Sequence, residues 1–222
     1  MLSKRLSAIF ELIDNCYCLG DIGTDHGYIP VQAILTKKAQ KAIATDLNIK
    51  PLNKAREYAI KKGVADKIEF RLGNGIEIIE KDECQNMVIA GMGGSLIKDI
   101  LKDSINKIVN TKLILQPMKD IKELREWLYK NGFSIDYEVV IEDSNKFYII
   151  IIANFKNAFI NYSQKDIDIG TFYKYKFGDI EKEYLKYLYK INLNIMNNKK
   201  LNNIDYKEQE NVIMYIKEVI NI

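Results

Sequence analysis

The chain has 222 residues, of which 47% are hydrophobic, enough for one domain with a substantial core and a smaller appendage. Charged residues make up 28% and the formal net charge is +3, which excludes a disordered chain and neither requires nor excludes a nucleic-acid partner. Three cysteines and one histidine are too few for a disulfide framework or a zinc site, so we expect buried, apolar cysteines and no metal.

Strands and helices are predicted to alternate along the first two thirds of the chain. Short apolar runs that end in turn residues predict strands at residues 16–22, 41–46, 67–72, 87–90 and 112–116. Apolar residues at helical spacing predict helices at residues 2–13, 28–38, 49–62, 96–109 and 121–130. Two β-rich runs, at 133–141 and 146–154, flank a polar turn and predict a hairpin. This order predicts an α/β fold with a Rossmann-like, mostly parallel sheet and an antiparallel hairpin at its edge.

The last part of the chain has a different pattern. After a connector at residues 155–170, apolar residues recur every three or four positions from Phe177 to Ile195 and predict one long helix. Asn197 and Asn198 are predicted to end that helix, and a second helix is predicted over residues 206–220. We therefore expect a first domain at residues 1–156 and a helical hairpin, or coiled coil, at residues 157–222.

Two roles are open for this helical hairpin. It is either a packing or dimerisation element, or an arm that grips RNA. Basic and aromatic residues alternate along it, which suits phosphate contact and base stacking: Tyr173, Lys174, Tyr175, Lys176, Lys182, Lys186, Tyr187, Tyr189 and Lys190. However, Asp179, Glu181 and Glu183 dilute the positive charge, so the pattern also fits an ordinary solvated face.

The segment DIGTDHGYIP, residues 21–30, is the first with a chemical signature. Gly23 and Gly27 lie between the first strand and its helix, at the sheet edge where open α/β folds bind ligands. Asp25 stands where a dinucleotide-binding loop has its second glycine. A carboxylate there repels a pyrophosphate and attracts a sulfonium or an ammonium group. Together with Asp21, the segment predicts S-adenosylmethionine rather than a nicotinamide dinucleotide.

The next strand ends carry further candidate ligands for the cofactor. Asp46 ends the second strand, where a carboxylate can accept hydrogen bonds from both ribose hydroxyls. Asn74 and Gly75 follow the third strand, where we expect contact with the adenine. Gly91 and Met92 follow the fourth strand and complete the predicted cofactor site.

A second set of residues is predicted to act on the molecule that accepts the methyl group. His26, also counted among the cofactor ligands, is predicted to border the methyl group or orient a base, and Tyr28 to stack on that base. Gly93 lies in a run of small residues that allows close approach to the methyl donor, and Gln116 ends the fifth strand. The run GMGG at residues 91–94 replaces the Asp/Asn-Pro-Pro-aromatic signature of amino-methyltransferases, which favours a ring-nitrogen acceptor.

Several ordered motifs resemble the bacterial tRNA (adenine(22)-N1)-methyltransferase family. These are LSKRL at 2–6, DIGTDHGY at 21–28, RLGNG at 71–75, IAGMGG at 89–94, LILQP at 113–117 and NGF at 131–133. One departure is Met118, where the family pattern has Asn. The resemblance implies a class I methyltransferase fold, S-adenosylmethionine as methyl donor, and N1 of adenine 22 in the D-arm of tRNA as acceptor.

Three competing functions fit parts of the same sequence. They are a methyltransferase for another RNA site or a small molecule, an NAD(P)-dependent oxidoreductase, and a non-catalytic RNA-binding protein. Arg56, Arg71 and Arg125 are candidate phosphate contacts, although each also fits an ordinary surface salt bridge. With no apolar leader and no 18-residue apolar run, we expect a cytoplasmic protein without a membrane span, monomeric or weakly dimeric, with tRNA as its partner.

Overall fold

The computed structural model describes residues 2–175 and 177–221. Seven strands are β1 Cys16–Ile22, β2 Ala39–Asp46, β3 Ile68–Leu72, β4 Asn86–Met92, β5 Lys112–Pro117, β6 Phe133–Asp143 and β7 Lys146–Phe155. The α-helices are α1 Lys4–Glu11, α2 Tyr28–Leu35, α3 Ile49–Lys61, α4 Gly94–Lys102, α5 Ile121–Lys130, α6 Gln164–Ile169, α7 Asp179–Leu201 and α8 Lys207–Ile220. The predicted alternation of strands and helices is confirmed.

The strands form one sheet in the order β3-β2-β1-β4-β5-β7-β6. The first five strands of that order are mutually parallel, and β7 runs antiparallel to both of its neighbours. The β6–β7 hairpin lies at the sheet edge as predicted, although the antiparallel strand is the inner of the two. The chain builds outward from β1 to β3 and then returns to β4, so a topological switch point lies between β1 and β4. A ligand crevice is expected at the carboxyl ends of these two strands.

Apolar side chains cover both faces of the sheet, because its strands are nearly continuous hydrophobic runs. One layer packs the sheet against α1, α2 and α3 through residues such as Ile9, Ile29 and Ala59. The other layer includes Leu101 of α4 and Leu185 of α7, together with side chains of α5 and α8. The C-terminal helices therefore share a core with the sheet. No helix in the described ranges is both long and apolar enough to cross a membrane.

Two predicted helix ends differ from the structure by five residues or more. Helix α7 continues through Asn197 and Asn198 to Leu201. Both asparagines are exposed, and an exposed asparagine destabilises a helix by only about 0.5 kcal/mol relative to alanine. Packing of α7 against α8 outweighs that cost. Helix α4 ends at Lys102 rather than at residue 109, and a 3-10 turn at Ile105–Lys107 leads the chain into β5.

The predicted phosphate contact at Arg125 is also wrong. Its side chain on α5 is 2% exposed, and its Nε donates to Glu138 Oε1 of β6 at 2.7 Å. Nη1 of the same guanidinium donates to the carbonyl oxygen of Ile167 in α6 at 3.2 Å. The backbone N–H of Thr171 donates to the other carboxylate oxygen of Glu138. This buried network ties the start of the C-terminal part to the sheet domain.

Candidate functional site

Two neighbouring cavities open at the carboxyl ends of the parallel strands. The larger has a volume of about 420 Å³ and lies between the β1–α2 loop, the end of β4 and the first turn of α1. The smaller has a volume of about 190 Å³ and lies between the ends of β1, β2 and β4, the loop after β3, and α4. Gly23 and Met92 line both cavities, so the two form adjacent parts of one crevice at the switch point.

The β1–α2 loop is shaped by glycines that must approach other elements closely. Gly23 has a φ of +73°, and its N–H and that of Thr24 each donate to the carbonyl oxygen of Thr45 at 2.8 Å. Gly27 has a φ of +65°, and a Cβ there would lie 2.9 Å from the Cβ of Ala55. Both positions therefore need a residue without a side chain. The loop is held against β2 and α3, and its backbone faces the crevice.

Two carboxyl groups and one guanidinium, that of Arg5, line the larger cavity. Asp21, the last residue but one of β1, has only 9% of its surface exposed. Burial, and to a lesser extent the neighbouring Asp46 carboxylate, raise its pKa to about 6, while the Thr24 hydroxyl opposes this shift. Asp25 in the same cavity is largely exposed, and its Oδ2 lies 3.2 Å from His26 Nε2. Two carboxyl groups so placed suit a positively charged ligand group.

Aromatic rings form one wall of the larger cavity. The rings of His26 and Tyr28 stack with centroids 5.2 Å apart and planes inclined by 24°. Tyr28 also packs edge-on against Tyr58 at 5.1 Å, and it remains 39% exposed. Tyr28 therefore both packs the first turn of α2 and presents a partly open ring. A flat heterocycle entering this cavity meets aromatic surface.

The smaller cavity combines one carboxylate with apolar walls. Oδ1 of Asp46 accepts a hydrogen bond from the N–H of Asn48 at 2.6 Å, which orients the carboxylate at the end of β2. Asn74 Nδ2 donates to Glu77 Oε1, and a Cβ at Gly75 would lie 3.0 Å from Ile100 Cγ2. Leu47, Leu96 and Ile100 supply the apolar surface. Such a cavity suits a nucleoside, with its hydroxyls at the acid and its base on the apolar walls.

The predicted cofactor residues all come together at this crevice. They line one or both cavities: Asp21, Gly23, Asp25, His26, Asp46, Asn74, Gly75, Gly91 and Met92. Of the residues predicted to act on the acceptor, His26 and Tyr28 line the larger cavity. Gly93 and Gln116 line neither: Gly93 precedes α4 beside Lys119, and Gln116 is fully buried behind Arg5.

Several lining residues were not predicted. Arg5 reaches the larger cavity because α1 packs on the hairpin, where its backbone N–H donates to Asp143 Oδ2 at 3.1 Å. Spacing along the chain carries no signal for that long-range contact. Leu96 and Ile100 of α4 were within reach of sequence reasoning, because they are four residues apart and follow the glycine turn after β4.

The remaining candidate groups have structural surroundings. Arg71 forms ion pairs with Glu69 and Glu83, and the Arg56 guanidinium lies 4.8 Å from the ring centroid of Phe70. Cys18 and Cys84 are buried with their sulfur atoms 3.7 Å apart. Within residues 2–175 and 177–221, no group of three or more His, Cys, Asp and Glu side chains is arranged to hold a metal ion.

Comparison with known proteins agrees with this site. The family model described as a methyltransferase domain matches residues 2–151. The tRNA (adenine(22)-N(1))-methyltransferase of Bacillus subtilis (strain 168) is 40% identical over 153 residues, which cover 68% of this chain and 64% of that protein, slightly less than two thirds of its length.

Solved structures match over nearly the whole chain. The crystal structure of the B. subtilis M1A22 tRNA methyltransferase TrmK superimposes with a TM-score of 0.87 at 32% identity, covering 99% of each chain. Streptococcus pneumoniae Sp1610, a putative tRNA (m1A22) methyltransferase in complex with S-adenosyl-L-methionine, gives 0.86 at 29% identity, again covering 99% of each chain. By its fold, its crevice and these similarities, the chain belongs to the tRNA (adenine(22)-N1)-methyltransferase family.

Proposed function

We propose that this protein transfers a methyl group from S-adenosylmethionine to N1 of adenine 22 in tRNA. The observation that carries the proposal is the two-part crevice at the switch point, with one carboxylate and apolar walls on one side and two carboxyl groups on the other. The relatives named for this reaction support the choice of acceptor.

The residues present fit S-adenosylmethionine. Asp46 is placed to accept hydrogen bonds from ribose hydroxyls, and Leu96 and Ile100 to contact an adenine ring. Asp21 and Asp25 offer negative charge to the cationic half of the molecule. Gly23 lies between these two regions, where its missing side chain leaves room along the backbone. When bound, S-adenosylmethionine supplies the methyl group on a positively charged sulfur.

Methylation of adenine N1 requires mainly that the protein position the two reactants. Adenine N1 has an in-plane lone pair and carries no proton at neutral pH, so no general base is required. N1 lies on the Watson–Crick edge, so the base must leave its stack and enter a pocket. We propose that His26 and Tyr28 hold the extruded ring by stacking, so that N1 is positioned to meet the methyl group. The carboxyl groups of the cavity favour the positive charge that develops on the ring.

Recognition of the rest of the tRNA is proposed to involve α7. Lys182, Lys186 and Lys190 are exposed and spaced by four residues, so they form one stripe along the helix. Tyr187 on the same helix is 48% exposed. Such a row of ammonium groups can neutralise several RNA phosphates, and Lys186 also pairs with Glu183 at 2.8 Å. Lys176, also predicted in this basic run, lies outside the described residues.

The decisive experiment is transfer of radiolabelled methyl groups from S-adenosylmethionine to unmodified tRNA. We expect labelling of N1 of adenine 22, and no labelling when that adenine is replaced by guanine. Labelling that persists in the substituted tRNA would identify another RNA site as the acceptor. Methyl transfer to a small-molecule acceptor, with no transfer to tRNA, would exclude tRNA as the substrate.

Ligand binding distinguishes this methyltransferase from an oxidoreductase and from a non-catalytic RNA-binding protein. A thermal-shift titration should show stabilisation by S-adenosylhomocysteine and none by NAD or NADP, because pyrophosphate would meet Asp21 and Asp25. Stabilisation by NAD alone would support an oxidoreductase. Binding of tRNA without any response to S-adenosylhomocysteine would support a non-catalytic RNA-binding protein.

A further inference from the structure

Arg5 places a guanidinium group on the wall of the larger cavity. It lies in the first turn of α1, and its Nη1 donates to Gln116 Oε1 at 2.5 Å. The same atom lies 3.7 Å from the sulfur of Met118, and the guanidinium carbon lies 5.4 Å from the ring centroid of Tyr148. These neighbours come from β5, the residue after it and the hairpin, so the tertiary structure holds the guanidinium beside the end of β4.

The positive charge of this group is not matched by an acid. Its side-chain partners are an amide, a thioether and an aromatic ring, all uncharged. In the described part of the chain no carboxylate forms a salt bridge with Arg5, and neither its Nε nor its Nη2 has a hydrogen-bond acceptor. The carboxylate of Asp143 contacts Arg5, but it accepts a hydrogen bond from the backbone N–H of Arg5 and not from the guanidinium. The guanidinium therefore keeps donors and charge for an incoming anion.

Gln116 positions Arg5 and does not itself contact the methyl acceptor. It is fully buried, its Nε2 donates to the carbonyl oxygen of Pro117 at 2.8 Å, and its Oε1 accepts from Arg5. Both ends of the amide are thus occupied within the protein. Gln116 fixes the direction of the guanidinium, and Arg5 is the group that faces the cavity.

We propose that Arg5 binds the phosphate of the nucleotide whose base is methylated, an inference that rests on the proposed function. A guanidinium matches phosphate oxygens with two parallel N–H donors. Contact with the base itself is disfavoured, because methylation at N1 makes the ring cationic and a neighbouring guanidinium would repel that charge. A base in the cavity brings its own phosphate to the rim, where α1 lies. Arg5 is then a positioning residue that holds the extruded nucleotide in place.

The test compares Arg5→Ala and Arg5→Lys with Lys4→Ala. Lys4 is the adjacent, exposed residue of α1, so its removal makes the same change in net charge. For Arg5→Ala we expect tRNA affinity to fall by about tenfold, as for loss of a charge-assisted hydrogen bond. The slope of log Kd against log salt concentration should decrease by about one. Arg5→Lys should restore the slope, and Lys4→Ala should have a smaller effect on affinity. Arg5 lines the larger cavity, which is also assigned to the amino-acid part of the cofactor, so affinity for S-adenosylhomocysteine is the control for a cofactor contact. If Arg5 holds the nucleotide phosphate, that affinity should stay within about twofold of wild type in all three variants.

A modified substrate identifies the phosphate directly. Ligation can provide a tRNA with a neutral methylphosphonate at nucleotide 22. This tRNA should bind wild-type protein about tenfold more weakly than normal tRNA, and Arg5→Ala should bind both equally. If the losses of affinity caused by Arg5→Ala and by the methylphosphonate add together, the proposal is overturned. An unchanged salt slope for Arg5→Ala would also overturn it, as would a parallel loss of S-adenosylhomocysteine binding, which would indicate a contact with the cofactor or a structural role. Failure of the wild-type protein to methylate tRNA would refute the proposed function instead.

Discussion

The terminal methyl of Met92 packs directly on the backbone of Gly23, so closely that a Cβ at residue 23 would lie 1.9 Å from Met92 Cε. The contact joins the loop after β1 to the end of β4, the two strands that flank the switch point. Because both residues line both cavities, this contact is the boundary between the carboxyl-rich and the apolar parts of the crevice.

Gly23→Ala should weaken binding of S-adenosylhomocysteine at least about tenfold, because the new methyl group displaces Met92 into the crevice and residue 23 has a positive φ. The double variant Gly23→Ala with Met92→Ala removes the clash but keeps the backbone strain, about 1–2 kcal/mol. It should recover part of the affinity. Isothermal titration calorimetry measures both, and equal affinity of Gly23→Ala and wild type would contradict the assignment of this crevice.

Asp46→Ala should weaken binding of S-adenosylhomocysteine by about tenfold or more, as expected for loss of hydrogen bonds between a carboxylate and ribose hydroxyls. Asp46→Asn is the matched variant, since its amide oxygen can still accept from the N–H of Asn48 and keep the turn in place. It should lose less affinity than alanine and unfold at nearly the wild-type temperature. Unchanged affinity of Asp46→Ala in calorimetry would rule out the ribose contact.

The raised pKa of Asp21 predicts opposite effects of pH on stability and on binding. Since folding raises this pKa from its ordinary value of 3.8 to about 6, the contribution of Asp21 to stability is greatest below pH 3.8. It is lost as the pH rises through about 6. Asp21→Asn should therefore be more stable than wild type at pH 7, by up to about 3 kcal/mol, and not at pH 4.

Binding depends on the ionised form of the same carboxyl group. Affinity for S-adenosylhomocysteine, whose amino group is positively charged, should rise as the pH increases from 5 to 7 through the pKa of about 6. Asp21→Asn should bind more weakly and with a smaller pH dependence in this interval. Denaturant titrations and calorimetry at the same pH values provide the measurements, and a pH-independent wild-type affinity would show that Asp21 does not face the ligand.

Arg125→Ala should destabilise the protein by about 3–5 kcal/mol, because it leaves the Glu138 carboxylate buried without its partner. The double variant Arg125→Met with Glu138→Leu should recover much of this loss, since it removes both buried charges. Arg56→Ala serves as a control at an exposed arginine and should change the free energy of unfolding by less than about 1 kcal/mol. Similar decreases in the free energy of unfolding for Arg125→Ala and Arg56→Ala would contradict the structure.

Replacing Lys182, Lys186 and Lys190 together by alanine tests the two roles left open for the helical hairpin. If α7 contacts tRNA, the triple variant should lose about tenfold or more in tRNA affinity, with a reduced salt dependence and unchanged binding of S-adenosylhomocysteine. Lys217→Ala, at an exposed lysine of α8, is the control and should bind tRNA almost normally. Normal tRNA binding by the triple variant would favour a packing role for the hairpin.

Much of the fold followed from local patterns. Hydrophobic periodicity located the seven strands and the main helices, because it reports directly which face of each segment is buried. Gly23 and Gly27, and the acids Asp21 and Asp46 at strand ends, predicted the crevice for a similar reason. In a parallel sheet, residues that follow successive strands must meet at one edge whatever the detailed packing.

Contacts between distant segments were decided only by the tertiary structure. Arg5 lines the crevice because α1 packs on a hairpin whose Asp143 lies 138 residues further along the chain. Arg125 is buried because β6 places Glu138 opposite it, and Asn197 lies within a helix because α8 packs beside α7. Local sequence specifies the conformation that each segment prefers, whereas burial and ion pairing depend on which segments come together. The same distinction explains the pKa of Asp21, since its desolvation depends on the strands and loops that enclose it.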